Sequence, residues 1–304
     1  MSSTQSSADS TSSSITNDPA YQGYVDPDWP NPGGEGDARI IIYGYVPSIA
    51  VCSLGIVLFF GAFVFHTWRL KRHRIWYFST VLVATFMEIL GYIFRTLSSR
   101  KDPYAVSYFV AQYFLIVVAP VLLSAAIYTI VSALIDAYGR EYAPLSPKLV
   151  LWGFVACDII ATIIQITGAG LVGSAYSNLK DPNVPNKILL AGLAFQVFTF
   201  ALFLLVLMIV LWKGRSSPVK VSKAFLTSTV IATLAIYLRT VFRLAETAQG
   251  LEASISTHEV YFGCLEFAPI VIGVYLLAIW YPGEYLQHKN STKHSAEKRS
   301  GVSV

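Results

Sequence analysis

The sequence is short of charge. Asp, Glu, Lys and Arg make up only 13% of its 304 residues, against roughly 25% in a soluble globular domain. With 54% hydrophobic residues, an ordinary soluble fold is excluded, because too few polar groups exist to cover the apolar surface. Cysteine is scarce too. Cys52, Cys157 and Cys264 all fall inside apolar runs, so each reads as a small hydrophobe and no disulfide framework is expected. The five histidines, His66, His73, His258, His288 and His294, make no cluster. An intramembrane metal enzyme needs several His or Asp ligands converging on one ion. No catalytic residue, metal or cofactor is therefore expected, and the chain does not read as an enzyme. It contains no Gly-x-x-x-x-Gly-Lys-Ser/Thr loop, so no ATPase of its own is expected. No segment joins a basic start to a short apolar core near the N-terminus, so no cleavable signal is expected.

What is abundant is apolar sequence in long runs. Seven of them approach or exceed the ~20 residues a helix needs to span the hydrocarbon core. They cover approximately Ile42–His66, Ile75–Leu97, Ala105–Ile130, Leu149–Val172, Ile188–Trp212, Phe225–Thr247 and Val260–Trp280. The expected fold is all-α, a seven-transmembrane-helix bundle over residues 41–283. Residues 1–40 form a Ser/Thr-rich segment that cannot bury a core and is expected to be disordered. Residues 284–304 form a basic tail.

Lys and Arg set the orientation. The segments after runs 1, 3, 5 and 7 carry 14 of them, and the N-terminal segment with those after runs 2, 4 and 6 carries 5. The N-terminus is expected outside and the C-terminus in the cytoplasm, most naturally at the plasma membrane, with an endomembrane as the alternative. The sequon Asn290-Ser291-Thr292 then lies in the cytoplasm and is expected to stay unglycosylated.

Several polar residues sit where lipid should be: Glu88, Arg95, Asp158, Gln165, Arg239, Arg243, Glu246 and Glu266, with Gln112 in run 3. A charge near the bilayer centre costs at least ~2.5–3.5 kcal/mol, so such residues pair or face a polar cavity. Glu88 and Arg95 are seven apart, as are Asp158 and Gln165, Arg239 and Glu246, and Glu259 and Glu266. Seven residues are nearly two helical turns, so each pair is expected on one inward stripe. One reading is an ion-pair network locking helices 2, 6 and 7. The other is a polar cavity open to the outer leaflet, with these residues as its lining. Pro120 and Pro269 fall near mid-span and are candidate hinges. Gly168, Gly170 and Gly173 suit close helix packing.

A repeat is also visible. Ile93-Phe94-Arg95 is echoed by Val241-Phe242-Arg243, and the next run in each case holds Ala-Pro, at Ala119-Pro120 and Ala268-Pro269. Arg to Pro is 25 residues in the first copy and 26 in the second. A three-plus-one-plus-three arrangement with parallel repeats is expected, helix 4 being the linker; some transporters place their site between such repeats.

These motifs carry a resemblance. Gly91-Tyr92-Ile93-Phe94-Arg95, Gln112 with Ala119-Pro120 and Tyr128, Asp158 with Gln165, Gly168 and Gly170, Gly192 with Gln196, and Arg239-Thr-Val-Phe242-Arg243 with Glu246, Gly250 and Glu259 resemble the fungal lipid-translocating exporter family. These are the Rta-like (resistance to aminocholesterol) seven-helix proteins, and the likeness covers about residues 43–283. The chain departs from the family's pattern at Glu266, near which Asp is usual, and at Tyr281-Pro282-Gly283, where the family has His-Pro-Gly. The resemblance implies a transporter of lipids or other amphiphiles: sphingoid long-chain bases, phospholipid or sterol-like toxins. It implies a role in stress resistance, with membrane lipids or amphiphilic small molecules as partners and no nucleic acid. The alternative is a seven-helix receptor or sensor of lipid or toxin stress. Short inner loops, no cysteine at the outer end of helix 3 and no lysine in helix 7 for a retinal Schiff base argue against it.

Overall fold

Lipid offers no partner to a backbone amide, so an apolar run in a membrane must satisfy its N–H and C=O groups within itself, as a helix does. The computed structural model describes residues 25, 26, 28, 37, 38, 40–178, 180–249 and 258–286. Among them seven helices are long and apolar enough to cross a membrane. They are α1 (Ile49–His73), α2 (Ser79–Arg100), α3 (Val106–Tyr138), α4 (Pro147–Ser177), α5 (Asn183–Gly214), α6 (Lys223–Gln249) and α7. α7 is built in three pieces: Glu259–Tyr261, a π-helical turn at Phe262–Phe267, and Ala268–Ile279. A short helix α8 (Pro282–Leu286) follows. The sequon, Gly250, His288 and His294, with most of both tails, lie outside the described residues.

Consecutive helices pack side by side, α7 returns to both α6 and α1, and α3 also reaches α6 and α5. The ring therefore closes around α3. Of α3's apolar window 61% is buried, against 28% for α1 and for α4. Large apolar side chains such as Val57, Trp152, Leu205 and Met208 remain exposed on the outer helices, a pattern suited to a lipid solvent. Ring packing fills the interior: Phe59, Tyr92 and Phe267 meet between α1, α2 and α7, and Tyr128 meets Phe203 at 4.4 Å.

α1 begins at Ile49, seven residues later than the apolar run suggests. Gly44 is left-handed (φ 74°) and its N–H closes a turn on the Ile41 carbonyl. Pro47 then disfavours helix in the residue before it. The residues ahead of the turn pack alternately, as an extended chain does. Ala38, Ile40 and Ile42 lie against Val106, Phe109 and Val172, and Ile41 and Tyr43 against Tyr104. Asp37 bridges Ala105, and Ala38 N–H donates to the Tyr104 carbonyl at 2.9 Å. The packed unit thus takes in Ala38 and Ile40, which composition assigns to the tail. At its other end α1 outlasts its apolar run to His73, because Lys71, Arg72 and His73 suit the negative end of a helix.

Pro120 lies inside α3, which continues through it. Pro269 is the second residue after the π turn. A proline ring crowds the carbonyl four residues back, and a wider turn there relieves that crowding. Of the small residues in α4, Gly168 makes the close approach. A Cβ there would stand 2.6 Å from the Leu189 nitrogen of α5, whereas one at Gly170 would meet nothing within 4 Å.

Candidate functional site

Five of the expected residues meet between α2, α6 and α7. Glu266, 1% exposed, receives two guanidiniums on one oxygen. Arg239 Nη2 donates to Oε1 at 3.2 Å, and Arg243 Nε lies 3.0 Å from it. The second approach is poorly aligned, so it acts as a charge contact more than a hydrogen bond. Arg239 also donates to the Ile116 carbonyl of α3 at 2.8 Å. Arg243 donates to Glu246 at 3.0 Å and lies over the Tyr113 ring at 5.0 Å. Glu88, 2% exposed, feels Arg239, Arg243 and Glu266 electrostatically, yet its Oε1 has no hydrogen-bond partner. Gln112 is buried with a similarly orphaned Oε1. It lies four residues before Ile116 and so on the same face of α3.

Arg95 forms a neighbouring knot. It donates to the Tyr45 hydroxyl at 2.6 Å, approaches Glu259 Oε1 at 3.6 Å and sits 3.9 Å over the Phe262 ring. Glu259 in turn accepts the Ser48 N–H at 2.9 Å, tying α7 to the start of α1. Burial pushes the Tyr43 hydroxyl up to about 12 and the Tyr45 hydroxyl also upward, although Arg95 pulls both down. Both phenols stay neutral near pH 7, so Glu259 is the anion that answers Arg95. Glu246 lies within electrostatic reach of Arg95, which joins the two knots.

Side-chain exposure rises along this network, from 2% at Glu266 and 4% at Arg239 to 10% at Arg243 and 20% at Glu246, with Glu259 at 19%. The cluster is sealed at depth and reaches the surface at the end of the bundle where α6 ends and α7 begins. Three guanidiniums (Arg95, Arg239, Arg243) face four carboxylates (Glu88, Glu246, Glu259, Glu266).

Asp158 and Gln165 lie outside this cluster. Asp158, 1% exposed, accepts the Tyr128 hydroxyl on Oδ2 at 2.8 Å, and its Oδ1 has no partner. Gln165 donates to Gln196 of α5 at 3.0 Å. The nine expected residues thus divide between two places, the second being the α3–α4–α5 seam.

One expectation needs correction. Seven-residue spacing puts Glu259 and Glu266 on one stripe, but Glu259 turns to Arg95 of α2 and Glu266 to α6. The π turn between them takes one more residue per turn than an α turn. It slips the phase by about one residue, or about 100°. Arg95, seven residues after Glu88 on α2, is buried like it and pairs across to Glu259 of α7. The sequence reading of the site missed Tyr45, Phe262 and the role of Glu259. The seven-residue offset from Glu266 was the available signal for Glu259. Nothing in the sequence marks Tyr45 as a partner of Arg95.

The family model described as RTA1 like protein matches residues 81–289. The chain is similar to the sphingoid long-chain base transporter RSB1 of Saccharomyces cerevisiae. The two are 26% identical over 279 residues, covering 79% of this chain and 73% of that protein. Protein RTA1 of the same yeast is 24% identical over 273 residues, covering 79% of this chain and 84% of that protein. Its protoporphyrin uptake protein 1 is 27% identical over 200 residues, 64% of each chain. No solved structure matches.

Proposed function

This chain belongs to the RTA1-like family, and from that premise we propose that it moves a cationic amphiphile, such as a sphingoid long-chain base, across the plasma membrane. The observation that carries this reading is Glu88, a buried acidic group beside Glu266 and its two guanidiniums whose Oε1 has no hydrogen-bond partner. An ammonium head group offers that oxygen a charged donor, and Gln112 offers the head group a neutral acceptor. The alkyl tail needs no enclosed pocket, since it stays in lipid. One relative, the sphingoid long-chain base transporter RSB1, supports the same substrate class.

Orientation follows the Lys/Arg asymmetry, with the N-terminal segment outside. The exposed end of the network, at Glu246 and Glu259, then faces the outer leaflet. In the repeat reading α1–α3 match α5–α7, and Arg95 of α2 and Arg243 of α6 are equivalent residues. Pro120 and Pro269 serve as the hinges that let the two triplets shift. The test is reconstitution of the purified protein in liposomes with labelled sphingoid bases and phospholipids. Protein-dependent movement of the cationic lipid, lost in Glu88→Gln, is the expected result. Ligand-dependent conformational change without lipid movement would instead favour a receptor.

A further inference from the structure

The polar seam between α3 and α4 is not used by the head-group reading. Asp158 lies eleven residues inside α4, which runs Pro147–Ser177, so it sits about 16 Å from that helix's start. It is 1% exposed, and among the described residues no Lys, Arg or His forms an ion pair with it. The titratable neighbours are few: Tyr128 from α3, which donates to Oδ2, and Cys157 beside it on α4. The aromatic rings of α5 that touch Tyr128, Phe200 and Phe203, carry no charge. The orphaned Oδ1 needs a positive occupant or a proton. Ca²⁺ takes 6–8 oxygen ligands and Mg²⁺ keeps a near-octahedral set. One carboxylate and one phenol fall far short of either. A proton needs a single oxygen.

We propose that Asp158 is a proton-binding site that couples export of the amphiphile to the inward return of a proton. The coupling element is α3. Its Ile116 carbonyl holds Arg239 of the head-group cluster, and its Tyr128 hydroxyl holds Asp158. Pro120 lies between them. The two contacts are twelve residues, about 18 Å, apart along one helix. Bending at Pro120 therefore changes both sites in one movement. One proton enters for each cationic amphiphile that leaves, so the exchange is electroneutral.

This inference rests on the cationic-amphiphile reading for its cargo but not for its proton. The first measurement is infrared difference spectroscopy of the purified protein near pH 7. A protonated-carboxyl C=O band that disappears in Asp158→Asn supports the site, and its absence from the unsubstituted protein overturns it. The second is uptake of a labelled sphingoid base into proteoliposomes with and without an imposed pH gradient. Protein-free liposomes under the same gradient measure its trapping as a weak base, and that uptake is subtracted. An uptake ratio of about tenfold is expected, falling to one in Asp158→Asn and reduced in Tyr128→Phe. A ratio of one in the unsubstituted protein, or a ratio unchanged by Asp158→Asn, overturns the coupling. A protein that keeps the infrared band but binds no cationic amphiphile removes the head-group reading and leaves the proton site standing.

Discussion

Glu88 and Glu266 differ by one property, and exchanging each for glutamine separates stability from binding. Glu266 holds two buried guanidiniums, Arg239 at 3.2 Å and Arg243 at 3.0 Å. Removing one partner of a buried pair costs about 3–5 kcal/mol. Glutamine keeps an oxygen, Arg239 keeps the Ile116 carbonyl and Arg243 keeps Glu246. The loss for Glu266→Gln is therefore expected at the low end, about 3 kcal/mol. Glu88 has an orphaned oxygen and makes no ion pair among the described residues. Glu88→Gln is expected to change the stability of the ligand-free protein by less than about 1 kcal/mol, or to raise it, because a buried polar oxygen without its own partner is costly. The ammonium contact it removes is charge-assisted and worth about 1.5–3 kcal/mol. At 1.4 kcal/mol per decade, head-group affinity should fall about 10- to 100-fold. The assay pairs thermal unfolding in detergent with equilibrium binding of a labelled sphingoid base. Equal destabilisation by the two variants, or unchanged affinity in Glu88→Gln, refutes the reasoning.

Three further outcomes follow from the packing. Gly168→Ala forces a Cβ against the Leu189 backbone, whereas Gly170→Ala meets nothing within 4 Å. The first should cost about 1–3 kcal/mol by overpacking and the second almost nothing, read as the difference in thermal midpoint. Burial holds the Tyr43 hydroxyl near 12, above its ordinary 10.0. The folded state then keeps a proton that the unfolded chain loses, so stability is full below pH 10 and falls between about 10 and 12 by roughly 2–3 kcal/mol. Tyr43→Phe should flatten that alkaline decline in a pH series of unfolding midpoints. Glu284 of α8 pairs with Arg69 and His73 of α1. Its side chain is 35% exposed, so Glu284→Ala should cost no more than about 1 kcal/mol, measured the same way.

The seven crossings were legible because lipid imposes one rule on every one of them, and a long apolar run satisfies it only as a helix. The inward direction of the polar residues was legible for the same reason: Glu88, Arg95, Asp158, Arg239 and Glu266 are all buried. Which residue meets which was not. Partner choice depends on helix phase, and phase depends on local winding that composition does not record. Gly44 and Pro47 delay α1 by seven residues, and that delay leaves Tyr45 free to reach Arg95. Nothing in the spacing of Asp158 and Gln165 points to the partner Asp158 has, the phenol of Tyr128 on α3.

The π turn at Phe262–Phe267 makes helix 7 sensitive to chain length in a way its side chains are not. Substituting an uncharged residue within the turn leaves Glu259 aimed at α2 and Glu266 at α6. Deleting one residue there restores α winding and swings the whole first turn of α7 by about 100° about the helix axis. Both carboxylates would then compete for the same neighbour, and Arg95 would be stranded. A single-residue deletion, harmless in most loops, would rewire the centre of this protein without altering a charged group.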